Sequence, residues 1–406
     1  MFSVALAARV GMLLFTFAQP QRFDYPDSQR YALVARNIAA GLGPIESPTN
    51  RTGTDPLYPL LMSPAFALLT DDTSVAFVWT RLLNIGFGML GLAALLGLAR
   101  RVAGDAAALA AGAIYSIDPI LLFFHGLVLT EIPFIGLLWP AMYFLWRARE
   151  TGRLRFAAAA GALLGLGALT RSSALPLAVV LPAVIALFRT GREVAGDASR
   201  AARWLPTLIA WMALLAVLSP AIVRNHRLLG TFVPVRTGGG ATLLESLGPW
   251  ADGGPGMEKV TWPRVPPDAD EAQRDRIYRD AALTWAAEHP RGAVRLAWAK
   301  LRRTWSLTLN APGYTSRLYD VIGWTTVAPV FVAAAAGAWR LRRRAGVALF
   351  VLMPALLIAL MHLLFVGSVR YRVPAMPGLF ILAGVGVAPW IERLLLSKPR
   401  TKDAHS

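Results

Sequence analysis

The chain has 406 residues, of which 55% are hydrophobic and only 16% charged, and its mean hydropathy is +0.49. Average globular chains carry about 25% charged residues, so the soluble chain of two or three domains that the length alone would allow gives way to a membrane protein. The formal charge of +17 does not call for nucleic acid, because most basic residues fall in short loops between apolar runs; zero cysteines exclude disulfides, thiol catalysis and cysteine metal sites.

A helix needs about 20 apolar residues to cross the hydrocarbon core. The first apolar run, residues 2–18, has no basic stretch before it and is interrupted by Arg9, so it reads as an uncleaved membrane helix rather than a signal peptide. Further spans are expected near 75–98, 105–124, 132–147, 156–170, 174–188, 204–222, 321–339, 345–366 and 373–391. The expected fold is an all-α integral membrane protein, a polytopic bundle of about ten transmembrane helices with two large extracytoplasmic loops. Three regions follow: 1–222, 223–320 and 321–406. No internal repeat or low-complexity tract is visible.

The short loops sort by charge. One set holds Arg100 and Arg101; Arg147, Arg149, Arg153 and Arg155; Arg189, Arg192, Arg200 and Arg203; and Arg340, Arg342, Arg343 and Arg344. The C-terminal tail adds Arg393, Lys398, Arg400 and Lys402, whereas the opposite short loops hold only Arg171, Arg370 and Arg372. The positive-inside rule therefore places both termini in the cytoplasm. The two long connections, 19–74 and 223–320, then lie outside. The first contains two helix-like pieces, 27–40 and 56–69, apolar enough to lie on the membrane surface. The second contains Gly238–Gly240, a Pro- and Gly-rich stretch at 248–267, and a helical segment at about 270–305 whose Trp285, Trp298 and Trp305 suit an interfacial helix. Gly238–Gly240 is not a nucleotide-binding P-loop, because no Lys-Ser/Thr follows it.

On this topology the unusual polar residues gather at the outer face: Asp24, Asp27, Arg30 and Tyr31 after the first span, His125 and Glu131 between the third and fourth, and Arg171 between the fifth and sixth. Arg224, Asn225 and His226 follow the seventh span, and Arg370, Tyr371 and Arg372 lie between the last two. Singly, each has an ordinary reading: Arg171 as a headgroup anchor, Arg370 and Arg372 around Tyr371 as an interfacial belt, Glu131 as a helix cap, His125 as an interfacial histidine. Together, several arginines and two or three carboxylates at one membrane-level face suit a phosphate-bearing lipid. Guanidinium groups pair bidentately with phosphate, and a nearby carboxylate can take a proton from an attacking hydroxyl.

An ordered set of motifs carries a resemblance over nearly the whole chain. It runs from Asp27-Ser28-Gln29-Arg30-Tyr31 through Asp55-Pro56-Leu57-Tyr58-Pro59, Leu129-Thr130-Glu131, the run Gly165–Arg171 and Arg224-Asn225 to Arg370-Tyr371-Arg372-Val373-Pro374. In these the chain resembles the GT-C glycosyltransferases, in particular bacterial relatives of the protein O-mannosyltransferases and of the lipid A aminoarabinose transferase. The resemblance implies inverting transfer of a sugar from a polyprenyl-phosphate carrier to an acceptor hydroxyl, on the outer face of a bacterial plasma (inner) membrane. The acceptor is a glycan, lipid or protein, and no nucleic acid is involved. Asp27 would be the general base, with Asp24 as its understudy and Glu131 a second acid in the cavity. Arg30, Tyr31, Arg370, Tyr371 and Arg372 would attend the donor phosphate, and charge and topology add Arg171 and Arg224. The chain departs from the pattern at Thr54-Asp55, where relatives often carry a basic residue and sometimes a Glu that touches a metal. A divalent metal therefore stays open, as does an acidic pair of Asp24 with Asp55. A transporter of a phosphorylated or anionic solute is the alternative function. It expects sequence-related halves, of which none is visible, and polar groups at the midplane, whereas here they favour the outer face. A non-catalytic assembly factor would leave the Asp27–Tyr31 cluster without a role.

Overall fold

The computed structural model describes residues 1–187, 200–310 and 316–396. Apart from one isolated bridge between Ser47 and Asn50, the described residues with regular structure are helical. The helices in chain order are α1 (Phe2–Ala18), α2 (Pro26–Ala39), α3 (Leu57–Leu68), α4 (Thr73–Ala103), α5 (Asp105–Ile117), α6 (Pro119–Gly126), α7 (Glu131–Thr151) and α8 (Leu154–Thr170). They continue as α9 (Leu175–Leu187), α10 (Arg200–Leu229), α11 (Gly239–Ser246), α12 (Glu271–Glu288) and α13 (Pro290–Thr304). The last four are α14 (Arg317–Arg340), α15 (Ala345–Leu364), α16 (Val369–Arg372) and α17 (Met376–Leu396).

All ten expected spans fall on helices. Among the described residues, four continuous stretches suffice by length and composition to cross a membrane: α4, most of α10, α14 with α15, and α16 running into α17. The pair α5–α6 adds a fifth if its 49° bend is one broken span. The bend has a local cause. Pro119 cannot continue the helix before it, and the Asp118 carboxylate restarts one by accepting from Leu121 N at 2.7 Å. Likewise the expected outer helix at 270–305 is two helices, parted at His289-Pro290. The first of them is opened by a capping box between Asp270 and Gln273. Arg189, Arg192, Lys398, Arg400 and Lys402, assigned above to the inner face, lie outside the described residues.

Glycine brings the helices together. A side chain on Gly161 of α8 would meet the Ala210 carbonyl of α10, and one on Gly337 of α14 would meet Leu382 of α17. Gly386 answers from α17 against Ala333. Lipid supplies no hydrophobic drive between helices, so such backbone approaches carry much of their association. Trp139, fully buried in α7, donates from Nε1 to Pro374 O at 2.9 Å and locks the turn before α17 to the bundle centre.

Two polar residues of the interior depart from the sequence expectation. Arg9 is 1% exposed, and its Nε donates to His125 Nε2 at 3.0 Å. His125 therefore sits inside the bundle and not at the outer interface. Its Nδ1 donates to Leu121 O at 2.7 Å, which leaves Nε2 as the acceptor that a buried guanidinium requires.

Outside the bundle, α2 and α3 pack on each other, Tyr31 meeting Tyr58 edge-on at 5.3 Å. The helices α11 and α12 enclose a second small core of Leu243, Leu244, Leu247, Val260 and Ala282. The stretch between them and the bundle includes α13, whose buried Lys300 donates to Leu364 O at 2.7 Å and so caps α15.

Gly161→Ala should lower the thermal midpoint of the detergent-solubilised protein, by a loss of about 1–3 kcal/mol for overpacking a helix contact. Gly11→Ala, where a new Cβ has nothing within 4 Å, should leave it unchanged or slightly raised. Equal midpoints for both variants would contradict the packing account.

Candidate active site

Four chain segments meet at one end of the bundle. Asp27 lies in the first turn of α2, entered through Pro26, and a carboxylate is favoured there by the helix dipole. Ser28 fastens that turn to the segment before α7, its Oγ donating to Val128 O at 3.0 Å. Glu131 is the first residue of α7, Arg171 closes α8, and Arg370 lies in the short α16, whose start Ser368 caps.

Arg370 joins these pieces. Its Nη1 donates to Asp27 Oδ2 at 2.6 Å and its Nε to Glu131 Oε1 at 2.5 Å. Arg30 holds the other oxygen of Asp27, Nη2 to Oδ1, at 2.7 Å. Arg171 Nη1 shares Glu131 Oε1 at 2.6 Å and lies 3.4 Å from Thr130 Oγ1. Tyr371 stacks on His362 with ring centroids 4.4 Å apart and takes the Arg171 guanidinium over its ring at 5.3 Å. Arg171, His362 and Tyr371 also line a cleft whose other walls include Phe134, Leu177 and Met361.

Burial pushes the Asp27 carboxyl up, but Arg370, then Arg30 and Arg171, outweigh it and hold the group below the usual carboxylate range. Tyr31, buried beside Asp27, is pushed up to about 12 and stays a neutral phenol. Glu131 is fully buried, and its Oε2 has no hydrogen-bond partner; neither has Arg30 Nε. Arginine nitrogens are unmet elsewhere too, as at Arg51 Nε and Arg372 Nη2, so of these two atoms only the Glu131 oxygen sets this site apart.

Three guanidinium groups against two carboxylates leave the cluster one positive charge in excess. That favours an anion. A divalent metal does not fit this arrangement, because both oxygens of Asp27 and one of Glu131 are engaged by arginines. Among the described residues, no group of three or more His, Asp or Glu side chains is assembled.

Of the residues singled out in the sequence, Asp27, Arg30, Tyr31, Glu131, Arg171, Arg370 and Tyr371 are brought together. Asp24, Arg224 and Arg372 are not. Asp24 accepts from Gln29 Nε2 at 2.9 Å on the surface. Arg224 is occupied by the carbonyls of Pro44 at 3.0 Å and Arg51 at 2.6 Å. Arg372, two positions after Arg370, leaves the other side of its short helix and donates to Ser306 O, with Phe331 beneath its guanidinium. No Asp24–Asp55 pair appears among the contacts of either residue. Asp55 instead accepts from Ser172 N at 3.0 Å and lies 3.4 Å from Arg236 Nε. With that single, longer ion pair, burial dominates and pushes Asp55 up, opposite to Asp27. The odd Thr54-Asp55 text was the available signal for Asp55; nothing in the sequence singled out Arg236.

With this architecture the chain is similar in fold to the GT-C membrane glycosyltransferases. Over 97% of its length it superposes on the archaeal oligosaccharyltransferase AglB of Archaeoglobus fulgidus, solved with an inhibitory peptide and a dolichol-phosphate, at a TM-score of 0.63 and 13% identity. The apo form of the Archaeoglobus fulgidus oligosaccharyltransferase aligns at a TM-score of 0.59 and 14% identity. The chain spans about half the length of these proteins, 50% and 51%. ArnT from Cupriavidus metallidurans, bound to undecaprenyl phosphate, aligns more loosely, with a TM-score of 0.41 and 18% identity over 95% of this chain and 76% of that one. Residues 54–223 match the family described as dolichyl-phosphate-mannose-protein mannosyltransferase. That stretch includes Glu131 and Arg171 but neither Asp27 nor Arg370. No curated protein matches the chain by sequence.

Because the folded-state pKa of Asp27 is depressed, its ion pairs stabilise the protein above the ordinary carboxylate pKa of about 3.9 and are lost as pH falls through the depressed value. Asp27→Asn should therefore lower the melting midpoint near neutrality, with the difference from wild type closing as acid protonates Asp27. A pH-independent difference would show that the ion pairs are not its source.

Proposed function

We propose that the protein is an integral-membrane glycosyltransferase that moves a sugar from a polyprenyl-phosphate carrier to an acceptor hydroxyl on the extracytoplasmic face, with inversion. The observation that carries this reading is the Arg370 bridge. A guanidinium already shared between two carboxylates, with Arg171 and Arg30 beside it, is a site that exchanges internal anions for a phosphate. The GT-C fold and the match to a family named for a polyprenyl-phosphate sugar donor support the same reading.

In the proposed reaction the donor's phosphate oxygens take Arg370 and Arg171, and the apolar walls of the adjoining cleft receive the start of the prenyl chain. Losing Arg370 to the phosphate removes the largest influence holding the Asp27 carboxyl down, so donor binding itself raises its basicity. The acceptor hydroxyl gives its proton to Asp27 as its oxygen bonds to the anomeric carbon. The bond from that carbon to the phosphate oxygen breaks with its electron pair on the phosphate, and attack from the opposite face inverts the centre. The guanidinium groups stabilise the charge developing on the leaving group, the term that most often dominates such catalysis. Glu131 keeps Arg171 and Arg370 in register throughout.

In nanodiscs, Asp27→Asn should retain binding of a polyprenyl phosphate while losing sugar transfer by at least about a hundredfold. Arg370→Gln should lose both. Transfer at the wild-type rate by Asp27→Asn would remove Asp27 from the role of base. Movement of an anion across vesicles with no consumption of lipid-linked sugar would favour the transporter instead.

The orientation has its own test, eased by the lack of native cysteine. Glu258→Cys in the second outer segment should react with an impermeant thiol reagent in intact cells, and Arg153→Cys only after lysis. The reverse pattern would invert the topology.

A further inference from the structure

Arg171 occupies a vulnerable position. It ends α8 in extended backbone, at φ −158° and ψ 101°, immediately before the tight turn Ser172–Ala174. The turn's own bonds, Ala174 N to Arg171 O at 2.8 Å and Leu175 N to Ser172 O, leave the Ser172 N–H and hydroxyl to be met. Two side chains from elsewhere meet them. Asp55 Oδ1 accepts from Ser172 N at 3.0 Å, and Arg236 Nε donates to Ser172 Oγ at 3.0 Å. Asp55 and Arg236 also face each other, at 3.4 Å between Oδ2 and Nε.

Arg236 brings a second connection. Its Nη1 donates to Gly53 O at 2.9 Å, two residues before Asp55. Just upstream, Glu271 at the start of α12 takes Arg51 N at 2.5 Å and Thr52 N at 2.8 Å. Thr52 Oγ1 adds a third bond to the same carboxylate at 2.5 Å. The backbone of residues 51–53 is therefore gripped by the second outer segment, and the carboxylate that follows it grips the residue after Arg171.

The geometry points to Asp55 and Arg236 as positioning residues that aim the Arg171 guanidinium at the donor phosphate, and to the second outer segment as part of that site through the loop it holds. The inference rests on the phosphate-site reading given above. Both oxygens of Asp55 are engaged away from the Arg370 cluster, so Asp55 acts through Arg171 and not on the phosphate. Asp55 and Arg236 touch Ser172 and so fix the backbone from which the Arg171 side chain leaves, while Ser173 Oγ, Glu131 and Tyr371 hold the guanidinium itself. The pair answers the departure at Thr54-Asp55: an acid there, paired with Arg236, holds a neighbouring cation in place.

A thermodynamic cycle tests this on the full chain in nanodiscs, with undecaprenyl phosphate as the probe and its dissociation constant as the readout. Asp55→Asn should weaken binding about tenfold, the loss of roughly one charge-assisted contact's worth of ordering. Arg171→Gln should weaken it further. The double variant should bind no more weakly than Arg171→Gln alone, because the Asp55 effect passes through Arg171. Arg236→Lys keeps the charge but loses the planar fork. It should show the same dependence on Arg171, and it carries the test should Asp55→Asn not fold. Additive losses, or wild-type binding by both Asp55→Asn and Arg236→Lys, would overturn the positioning role. Wild-type binding by Arg171→Gln would instead overturn the phosphate-site reading, and this inference with it.

Discussion

Arg370 stands between two carboxylates drawn from distant parts of the chain, Asp27 at 343 residues' separation and Glu131 at 239. A guanidinium can do this because its planar fork presents Nη1 to one acid and Nε to the other at fixed geometry; a lysine ammonium has no such fork. The cost of the arrangement is large if any member is missing, since a buried charge left without its partner is strongly destabilising. The start of α2, the start of α7 and the turn between α15 and α17 are thereby bound to one register. The relation of the first outer segment to the bundle follows from that register, with Ser28 on Val128 O as its closest support.

The same cluster is incompletely satisfied, and that is informative. A purely structural ion network tends towards full pairing, because half-satisfied buried networks are worse than apolar packing. Here an oxygen of Glu131 is unmet, where the other unmet buried atoms among the described residues are arginine nitrogens such as Arg51 Nε and Arg372 Nη2, and positive charge exceeds negative by one. Exposure is graded too: the Arg30 side chain is 41% exposed, Arg370 21% and Arg171 13%. On the proposed reading an arriving anion meets Arg30 first and displaces Asp27 to reach Arg370, while Glu131 stays in place. In that reading both acids hold the site together without ligand, and only Asp27 gives way to the stronger anion.

Much of this was legible in the sequence, and the limits have physical causes. Apolar runs locate helices because burial in lipid demands them, so each of the ten expected spans lies on a helix. Their ends and breaks depend on caps such as Asp118 and Asp270, which a hydropathy reading passes over. Charge asymmetry sorted the loops and so collected Asp27, Glu131, Arg171 and Arg370 on one face. It could not distinguish Arg370 from Arg372, because two residues of spacing in a four-residue helix send neighbouring arginines to different partners. Nor could it pair Asp55 with Arg236. Their contact spans 181 positions of chain and joins two segments that no local pattern links.

Buried arginines alone do not mark a functional site in this protein; the nature of their partners does. Arg9 is satisfied by an imidazole, by the carbonyls of Ala5 and Tyr115, and by the Tyr115 ring. Arg372, apart from its unmet Nη2, and Arg224 are likewise held chiefly by backbone carbonyls. A ligand anion could recruit such a guanidinium only by orphaning backbone acceptors that nothing else would meet, a cost the bound anion does not repair. Arg370 and Arg171 are held by carboxylates at a partly open face. On the proposed reading an incoming phosphate there replaces one anion by another, and the displaced carboxylate gains basicity in the exchange. The difference between a membrane arginine that locks helices and one that binds substrate is therefore written in what each would leave behind.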